Sequence, residues 1–231
     1  MFLKDPTNKV IATARSTAGS KGLQDLASKY SKDRLILLDL DVTKLESVKN
    51  VAQQLDTLLP EGLDNLISNA GISNQSLTTY DELDLEEFEN ELHFNTIVPI
   101  QLLRAFLPSI KKSKQKKIAV ITSLLGSIEV GAGLPNLANA YAVSKAALNM
   151  LIRKWGAVLK GEGVTSILIH PGWVGATEVG NTISSYIEKY APDVPNIPVE
   201  ESAEGVIKVI REATLENTGT FYNFDGTNIP W

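Results

Sequence analysis

Short apolar runs alternate with longer helical patterns along the whole chain. The runs predicted as strands are Lys9–Ala14, Arg34–Leu40, Asp64–Ser68, Lys117–Thr122, Thr165–His170 and Thr220–Asn223. Most of these runs are apolar throughout, which is typical of strands that are buried on both faces. Such strands, separated by helices, indicate a parallel sheet that is covered by helices on both sides.

The segments between the strands have the apolar spacing of amphipathic helices. The helices are predicted over Leu23–Tyr30, Leu45–Leu58, Leu85–Leu107, Tyr141–Leu159 and Val199–Thr214. Thr43 is followed three residues later by Glu46, which predicts a capping box at the start of the second helix. Pro108 is expected to end the third helix. The alternation predicts a doubly wound, Rossmann-like α/β fold with three layers and one domain over residues 1–231.

Composition narrows the classes of protein that fit this pattern. The chain has 231 residues, and its 43% apolar content is ample for a core. The net charge of −5 argues against a partner nucleic acid. The basic run Lys111–Lys117 is an exception, and we interpret it as a solvated helix end and loop rather than a binding patch.

The chain has no cysteine, which excludes disulfides, thiol catalysis and cysteine metal sites. No apolar stretch approaches the roughly 18 residues that a membrane span needs, and Met1–Pro6 lacks the apolar core of a secretory signal. We therefore expect a cytoplasmic protein with no membrane partner. His93 and His170 are far apart in sequence, so we expect structural roles for both and no metal site.

Polar or turn-forming residues follow five of the predicted strands directly. They are Arg15, Asp41, Asn69, Ser123 and Pro171. Ligands of open parallel sheets bind beyond the carboxyl ends of the strands. This placement therefore predicts a nucleotide-like ligand at that edge of the sheet.

Tyr141 and Lys145 are four residues apart on one predicted helix. Residues at this spacing lie one turn apart, so the phenol and the ammonium can share a cleft. An ammonium near a phenol favours the phenolate and is expected to lower the pKa of the tyrosine. Such a tyrosine can give a proton to a carbonyl oxygen, or take one from an alcohol, while a serine hydroxyl holds that oxygen.

These features occur together in an order that resembles the short-chain dehydrogenase/reductase family, from about Val10 onwards. The ordered motifs are Asn69-Ala70-Gly71, Asn95, Ser123, Tyr141-x-x-x-Lys145 and Pro171-Gly172-x-Val174. The ending Gly219–Gly226 with Pro230-Trp231 looks like the branch of C-factor-like, sniffer-like and fungal ketoreductase-like members. The resemblance implies reduction of a small ketone or aldehyde with NADPH, or the reverse oxidation of an alcohol. It also implies a homodimer or homotetramer.

The resemblance also assigns roles to the catalytic candidates. Tyr141 is the expected acid/base, and Lys145 is expected to lower its pKa and to hold the nicotinamide ribose. Ser123 matches the catalytic serine, although the long gap to Tyr141 keeps Ser127 as a rival. Asn95 matches an asparagine that bends its helix and holds a water linking the lysine to solvent.

The cofactor-binding candidates come from the same resemblance. An arginine at Arg15 suits a 2′-phosphate and so favours NADPH over NADH, with a surface role as the alternative. Asp41 and Val42 match the adenine contact, and the segment Asn69, Ala70 and Gly71 matches the wall of the adenine ribose. The backbone at Pro171, Gly172 and Val174 matches the carboxamide contact.

Thr177 comes three residues after Val174, where the family threonine usually comes two after the valine, so its role is open. The stretch 177–198 resembles the variable substrate loop. Ile183, Tyr186, Ile187 and Tyr190 in that loop form either an apolar lid or ordinary helical packing. Trp173 is a further candidate to face the substrate.

A glycine-rich phosphate loop is not found where the family has one. Gly19 and Gly22 come after the strand that ends near Arg15, which is the wrong place. We expect a chain that is truncated relative to the family rather than a damaged paralogue, with the central first strand missing and its two neighbours left with unpaired edges. The alternative function is a non-catalytic dinucleotide-binding or scaffold protein.

Overall fold

All six predicted strands are present in the computed structural model, which describes residues 1–231. Their bounds are β1 Val10–Ala14, β2 Leu35–Asp39, β3 Asn65–Ser68, β4 Lys117–Ile121, β5 Thr165–His170 and β6 Phe221–Asn223. Each strand lies within its predicted range. For β4 and β5 the agreement follows from burial on both faces, which leaves a continuous apolar run in the sequence.

Nine α-helices connect or follow the strands. They are α1 Lys21–Ala27, α2 Leu45–Leu58, α3 Leu85–Leu92, α4 Val98–Lys112, α5 Ile128–Gly131, α6 Asn139–Lys160, α7 Glu178–Thr182, α8 Ser184–Tyr190 and α9 Val199–Glu212. None of these helices combines the length and the apolar character that crossing a bilayer requires.

The parallel strands form two separate sheets. One sheet has the order β1-β2, and the other has the order β3-β4-β5-β6. The N–H of Val10 donates to the carbonyl of Arg34, and the N–H of Leu40 donates to the carbonyl of Ala14, both at 2.8 Å. These bonds join one edge of β1 to β2. The opposite edge of β1 has no partner strand, and β3 pairs with β4 alone. β1 and β3 therefore each have one unpaired edge, as the sequence predicts for the two neighbours of a missing first strand.

One apolar core joins the two sheets on one face. It contains 17 buried residues, among them Leu40 after β2, Val48 on α2, Leu103 on α4, and Val120 and Leu168 in the four-stranded sheet. A smaller cluster on the other face packs β4 and β5 against α9. Helices thus cover both faces, and the predicted α/β/α layers are confirmed.

The predicted helix Leu85–Leu107 is in fact two α-helices joined by a π-helical segment, His93–Ile97. A π-helical turn inserts an extra residue and bends the helix, which the apolar spacing does not reveal. The prediction that Pro108 ends the helix is wrong, because α4 continues to Lys112. Burial of Phe106, Ser109 and Ile110 in this stretch offsets the roughly 3 kcal/mol that a proline costs inside a helix.

The predicted capping box at α2 is also wrong. Asp41 accepts from the backbone N–H of Thr43 at 3.1 Å and from its hydroxyl at 2.6 Å. Glu46 instead lies 2.8 Å from the ammonium of Lys49. The carboxylate of Asp41 is a stronger acceptor than a hydroxyl, so it takes the Thr43 donors and leaves the threonine outside the helix start.

The basic run 111–117 belongs to a helix end and the loop before β4. Lys111 pairs with Glu162, and Lys112 lies 2.5 Å from Asp56. Lys117 donates to the carbonyls of Ile210 and Arg211 near the end of α9. These lysines contact neighbouring elements of the fold, in accord with the structural interpretation of the run.

Candidate active site

Ser123 lies directly after β4, in a loop that is fixed to α6. The hydroxyl of Thr122 donates to Oδ1 of Asn149 at 2.6 Å, and Nδ2 of Asn149 donates to the carbonyl of Gly126 at 3.2 Å. A side chain at Gly126 would come within 2.9 Å of the backbone carbon of Lys145. The loop therefore packs directly on the helix that carries the tyrosine and lysine.

Tyr141 and Lys145 lie one turn apart on α6, as the spacing predicts. The Lys145 Nζ is 5.4 Å from the centroid of the Tyr141 ring. The lysine is 3% exposed, and it donates to the carbonyl of Ile121 at 3.3 Å. The Ser123 side chain lies close enough to the Tyr141 phenol to lower its pKa. The serine, the tyrosine and the lysine thus meet at the carboxyl end of β4.

Burial raises the pKa of the Tyr141 phenol, the Ser123 side chain acts in the opposite direction, and the negative charge of Glu91 raises the pKa further. Burial also lowers the pKa of Lys145 to about 8. The expected lowering of the tyrosine pKa is therefore not present, because desolvation of the phenolate dominates. The phenol is held in its protonated form at neutral pH.

Asn95 lies in the π-helical segment and is fully buried. Its Oδ1 accepts from the N–H of Ile72 at 3.0 Å, and its Nδ2 donates to the carbonyl of Ile72 at 2.8 Å and to the hydroxyl of Ser144 at 3.0 Å. Ser144 in turn donates to the carbonyl of Tyr141. Asn95 thus connects the bent helix, the segment after β3 and the first turn of α6.

The two rival serines have different partners. Ser127 accepts from the N–H of Val130 and caps the short helix α5. Ser123 accepts from the N–H of Leu125, and its side chain lowers the pKa of Tyr141. Its proximity to the phenol favours Ser123 as the serine that would meet a substrate oxygen.

The residues expected at the adenine end lie after β1 and β2. Arg15 is exposed directly after β1, and Val42 is half-buried beside Asp41. The Asp41 carboxylate accepts from Thr43 and lies 3.2 Å from the Lys44 ammonium. The hydrogen bond from the Thr43 hydroxyl lowers the pKa of Asp41. The side chain of Asp41 is thus engaged just before the start of α2.

Gly71 follows Asn69 and Ala70, which are exposed after β3. A Cβ at Gly71 would lie 3.4 Å from both the Asn95 Oδ1 and the Lys145 Nζ. The glycine therefore leaves a cradle open beside an ammonium that has three donors, one of which is used by Ile121. This donor set fits the hydroxyls of a ribose, so these residues suit the nicotinamide end of a dinucleotide.

The turn after β5 has the backbone shape that its motif indicates. Gly172 has φ +81°, and a Cβ there would lie 2.9 Å from Ile197. Ser202 donates to the carbonyl of Pro171, and the carbonyl of Trp173 accepts from Ile197 at 2.8 Å. Val174 is buried. Thr177 donates to the carbonyl of Val174 and caps α7, so its hydroxyl is occupied in a turn.

The substrate loop forms an apolar cluster beside Tyr141. Leu137, Ala138 and Ile187 are buried there, and Tyr141, Trp173, Ile183 and Tyr186 pack against them. Tyr186 also donates to the carbonyl of Pro135 at 2.8 Å, whereas Tyr190 is 62% exposed. Ile183, Tyr186 and Ile187 thus share one apolar cluster with Tyr141, which fits both a lid and ordinary helical packing, and Tyr190 lies at the surface.

Two site residues escaped the sequence analysis. Asn149 lies one turn beyond Lys145 and two turns beyond Tyr141, so its position on their helix face was a signal that could have been used. Glu91 is fully buried, and it accepts from two backbone N–H groups of the segment after β3. Glu91 lies near the end of the acidic helix α3, and no local pattern marks it as buried.

Comparison with known proteins gives one consistent result. The model of the short chain dehydrogenase family matches residues 1–187. An uncharacterized oxidoreductase of Schizosaccharomyces pombe is 32% identical over 242 residues, covering 100% of this chain and 92% of the relative.

Two solved structures are similar over most of their length. The NADPH-bound carbonyl reductase from chicken fatty liver has a TM-score of 0.84 at 34% identity, covering 97% of this chain and 88% of that one. The carbonyl reductase Sniffer of D. melanogaster has a TM-score of 0.86 at 26% identity, covering 100% and 92%. The chain belongs to the short-chain dehydrogenase family of oxidoreductases.

Proposed function

We propose that this protein reduces a ketone or an aldehyde with NADPH, and oxidises the corresponding alcohol in the reverse direction. The observation that carries the proposal is the position of the Tyr141 ring 5.4 Å from the buried ammonium of Lys145, at the carboxyl end of β4 where Ser123 lies. The chicken and Drosophila relatives, which are named carbonyl reductases, support the same reaction class.

Tyr141 is the proposed proton donor to the carbonyl oxygen. Its pKa is raised by burial, so the phenol carries its proton at neutral pH and is ready for the direction of reduction. Ser123 donates a hydrogen bond to the same oxygen and stabilises the negative charge that develops there. Tyr141 lies on α6, and Asn149 of the same helix fixes the loop that carries Ser123, so little reorganisation is needed during the reaction.

Lys145 and Asn95 support this proton transfer. The pKa of Lys145 is about 8 because the side chain is buried, so the ammonium is charged at neutral pH and stabilises a phenolate on Tyr141. Asn95 fixes the first turn of α6 through Ser144 and so orients the tyrosine.

The cofactor is proposed to lie along the carboxyl ends of the strands. Lys145 would hold the nicotinamide ribose, Gly71 would leave room for it, and the backbone at Pro171, Gly172 and Val174 would meet the carboxamide. Arg15 would hold the 2′-phosphate, and Asp41 with Val42 would meet the adenine. The bound nicotinamide supplies the hydride chemistry, and the protein supplies position and electrostatics.

The experiment is to follow NADPH and NADH consumption with a panel of aromatic and aliphatic ketones and aldehydes. Tyr141→Phe removes the proton donor and is expected to lower kcat by about 10²–10⁴-fold. Tyr80→Phe is the matched control, because Tyr80 is 79% exposed. Equal rates for wild type and Tyr141→Phe would contradict the proposal.

Tryptophan fluorescence titration with NADPH separates the remaining alternative. Binding of NADPH without turnover of any carbonyl compound would favour the non-catalytic dinucleotide-binding or scaffold protein. A homodimer or homotetramer, a cytoplasmic location and one domain over residues 1–231 remain predictions, and sedimentation of the purified protein tests the first of them.

A further inference from the structure

The segment Ile72–Ser76, which follows β3, contacts three parts of the candidate site. Ile72 makes two backbone hydrogen bonds with the Asn95 side chain. The carbonyl of Ser76 accepts from the N–H of Ala138 at 2.8 Å, just before α6 begins. The hydroxyl of Ser76 lies 2.7 Å from that of Thr182 on α7, in the substrate loop. The segment therefore joins the bent helix, the helix of Tyr141 and the substrate loop.

Glu91 on α3 holds this segment through two hydrogen bonds to its backbone. Its Oε1 accepts from the backbone N–H of Asn74 at 2.8 Å and of Gln75 at 3.0 Å. The residue is fully buried, and Oε2 has no hydrogen-bond partner. Burying a carboxylate oxygen without a partner costs free energy. A residue that only had to hold the segment would do so at lower cost with a neutral amide side chain.

The charge of Glu91 also acts on the site. Burial raises the pKa of this carboxyl, and the nearby charge of Glu87 on the same helix raises it further. On α6, the facing titratable group is Tyr141, whose pKa the Glu91 charge raises. The residues that the segment Ile72–Ser76 places against Glu91, Asn74 and Gln75, are neutral. Glu91 is thus linked to the tyrosine by charge and to the substrate loop by hydrogen bonds.

We infer that Glu91 is a positioning residue of this site, which holds the segment Ile72–Ser76 against the start of α6 and, through Ser76 and Thr182, fixes the substrate loop over Tyr141. The inference rests on the proposed function for its effect on turnover. The anchoring of the segment Ile72–Ser76 by Glu91 does not depend on any activity. The anchoring and the proposed function can therefore be tested separately.

Hydrogen exchange of the Asn74 and Gln75 amides tests the anchoring in the full chain. Glu91→Ala leaves both N–H groups without an acceptor and is expected to make them exchange at least about tenfold faster. Glu91→Gln keeps an acceptor oxygen and is expected to restore protection. Glu89→Gln is the control, because Glu89 is exposed on the same helix. Unchanged protection in Glu91→Ala would overturn the inference.

Steady-state reduction tests the effect on the substrate loop. Glu91→Ala is expected to raise the KM for the carbonyl substrate by more than it lowers kcat, and Glu91→Gln is expected to restore KM. In Glu91→Gln, loss of the negative charge lowers the pKa of Tyr141, so the alkaline fall in the rate of reduction moves to lower pH.

Thr182→Val provides a variant at an exposed position, which removes the bond to Ser76 without disturbing the core. It is expected to raise KM in the same direction as Glu91→Ala. Wild-type KM values in both Glu91→Ala and Thr182→Val would contradict the inference. Absence of turnover in the wild type would contradict the proposed function, and the exchange of the Asn74 and Gln75 amides would still decide whether Glu91 anchors the segment.

Discussion

The two sheets of the molecule differ in how well they are covered. In β5, Thr165 to Ile169 are all buried, and β4 is buried through its middle. In the two-stranded sheet only Leu35 is buried within the strands, and the adjacent helix α1 has no buried residue. Both sheets still share one core through α2 and α4. The four-stranded sheet is therefore well packed, and the two-stranded sheet is more exposed.

The proposed chemistry divides along the same line. Ser123, Tyr141 and Lys145 lie over the four-stranded sheet, where packing fixes their distances. Arg15 and Asp41 follow the strands of the two-stranded sheet and face solvent to a greater extent. Proton transfer needs atoms held within a fraction of an ångström, whereas attraction of a phosphate acts over a longer distance. In the proposed function, proton transfer therefore takes place over the four-stranded sheet, and the adenine end of the cofactor lies at the more exposed two-stranded sheet.

The largest expected contrast is in core substitutions. Ile169→Ala removes a fully buried side chain from β5 and is expected to lower the free energy of unfolding by about 2–5 kcal/mol. Ile36→Ala in β2 removes a partly exposed side chain and is expected to cost about 1 kcal/mol. Urea unfolding measures both values, with Ile169→Val as a milder variant. Equal losses would show that the sheets contribute alike.

A second contrast concerns the loss of stability at acidic pH. Burial lowers the pKa of His170, at the end of β5, from 6.5 to about 4, and its Nδ1 has no partner. Between these pH values the unfolded chain binds the proton that the folded chain excludes, so stability falls as pH drops from about 6.5 to about 4. The loss from this group is on the order of 3 kcal/mol.

His170→Asn removes the titrating imidazole, and the pH dependence of the free energy of unfolding in urea should flatten between pH 4 and 6.5. His93→Asn is the control, since His93 is exposed on the π-helical segment. An equal change in both variants would mean that burial at the end of β5 is not the cause.

A smaller effect is expected at Arg15, which follows β1 of the two-stranded sheet. Arg15→Ala should raise the Kd for NADPH about tenfold and change the Kd for NADH little, because the lost contact is to the 2′-phosphate. Fluorescence titration measures both constants, and Lys21→Ala on exposed α1 is the control. Equal weakening of NADPH and NADH would place Arg15 away from the 2′-phosphate.

The smallest effect is expected on α1. Leu26 is 36% exposed, and α1 buries no residue, so Leu26→Ala should change the free energy of unfolding by less than about 0.5 kcal/mol. Leu148→Ala, at a 1% exposed position on α6, should be several times more costly. A large loss for Leu26→Ala in thermal or urea unfolding would show that α1 is more tightly packed than its exposure indicates.

Much of this molecule could be predicted from local pattern. The strand Thr165–His170 and the helix Leu45–Leu58 have the bounds that their apolar spacing indicates. The pairing of Tyr141 with Lys145 followed from helical geometry alone, and the unpaired edges of β1 and β3 followed from the motif order. These features depend on residues that are close in sequence or on an ordered set of motifs, which a sequence displays directly.

Tertiary structure decided the remaining features. Burial, which depends on distant elements, raises the pKa of Tyr141 against the expectation from its lysine neighbour. Packing keeps Pro108 inside a helix, and the carboxylate of Asp41 displaces the capping box at Thr43. Glu91 became part of the site only because the fold brings the segment after β3 onto α3. Desolvation and long-range hydrogen bonds are properties of the assembled chain, so no local pattern along the sequence contains them.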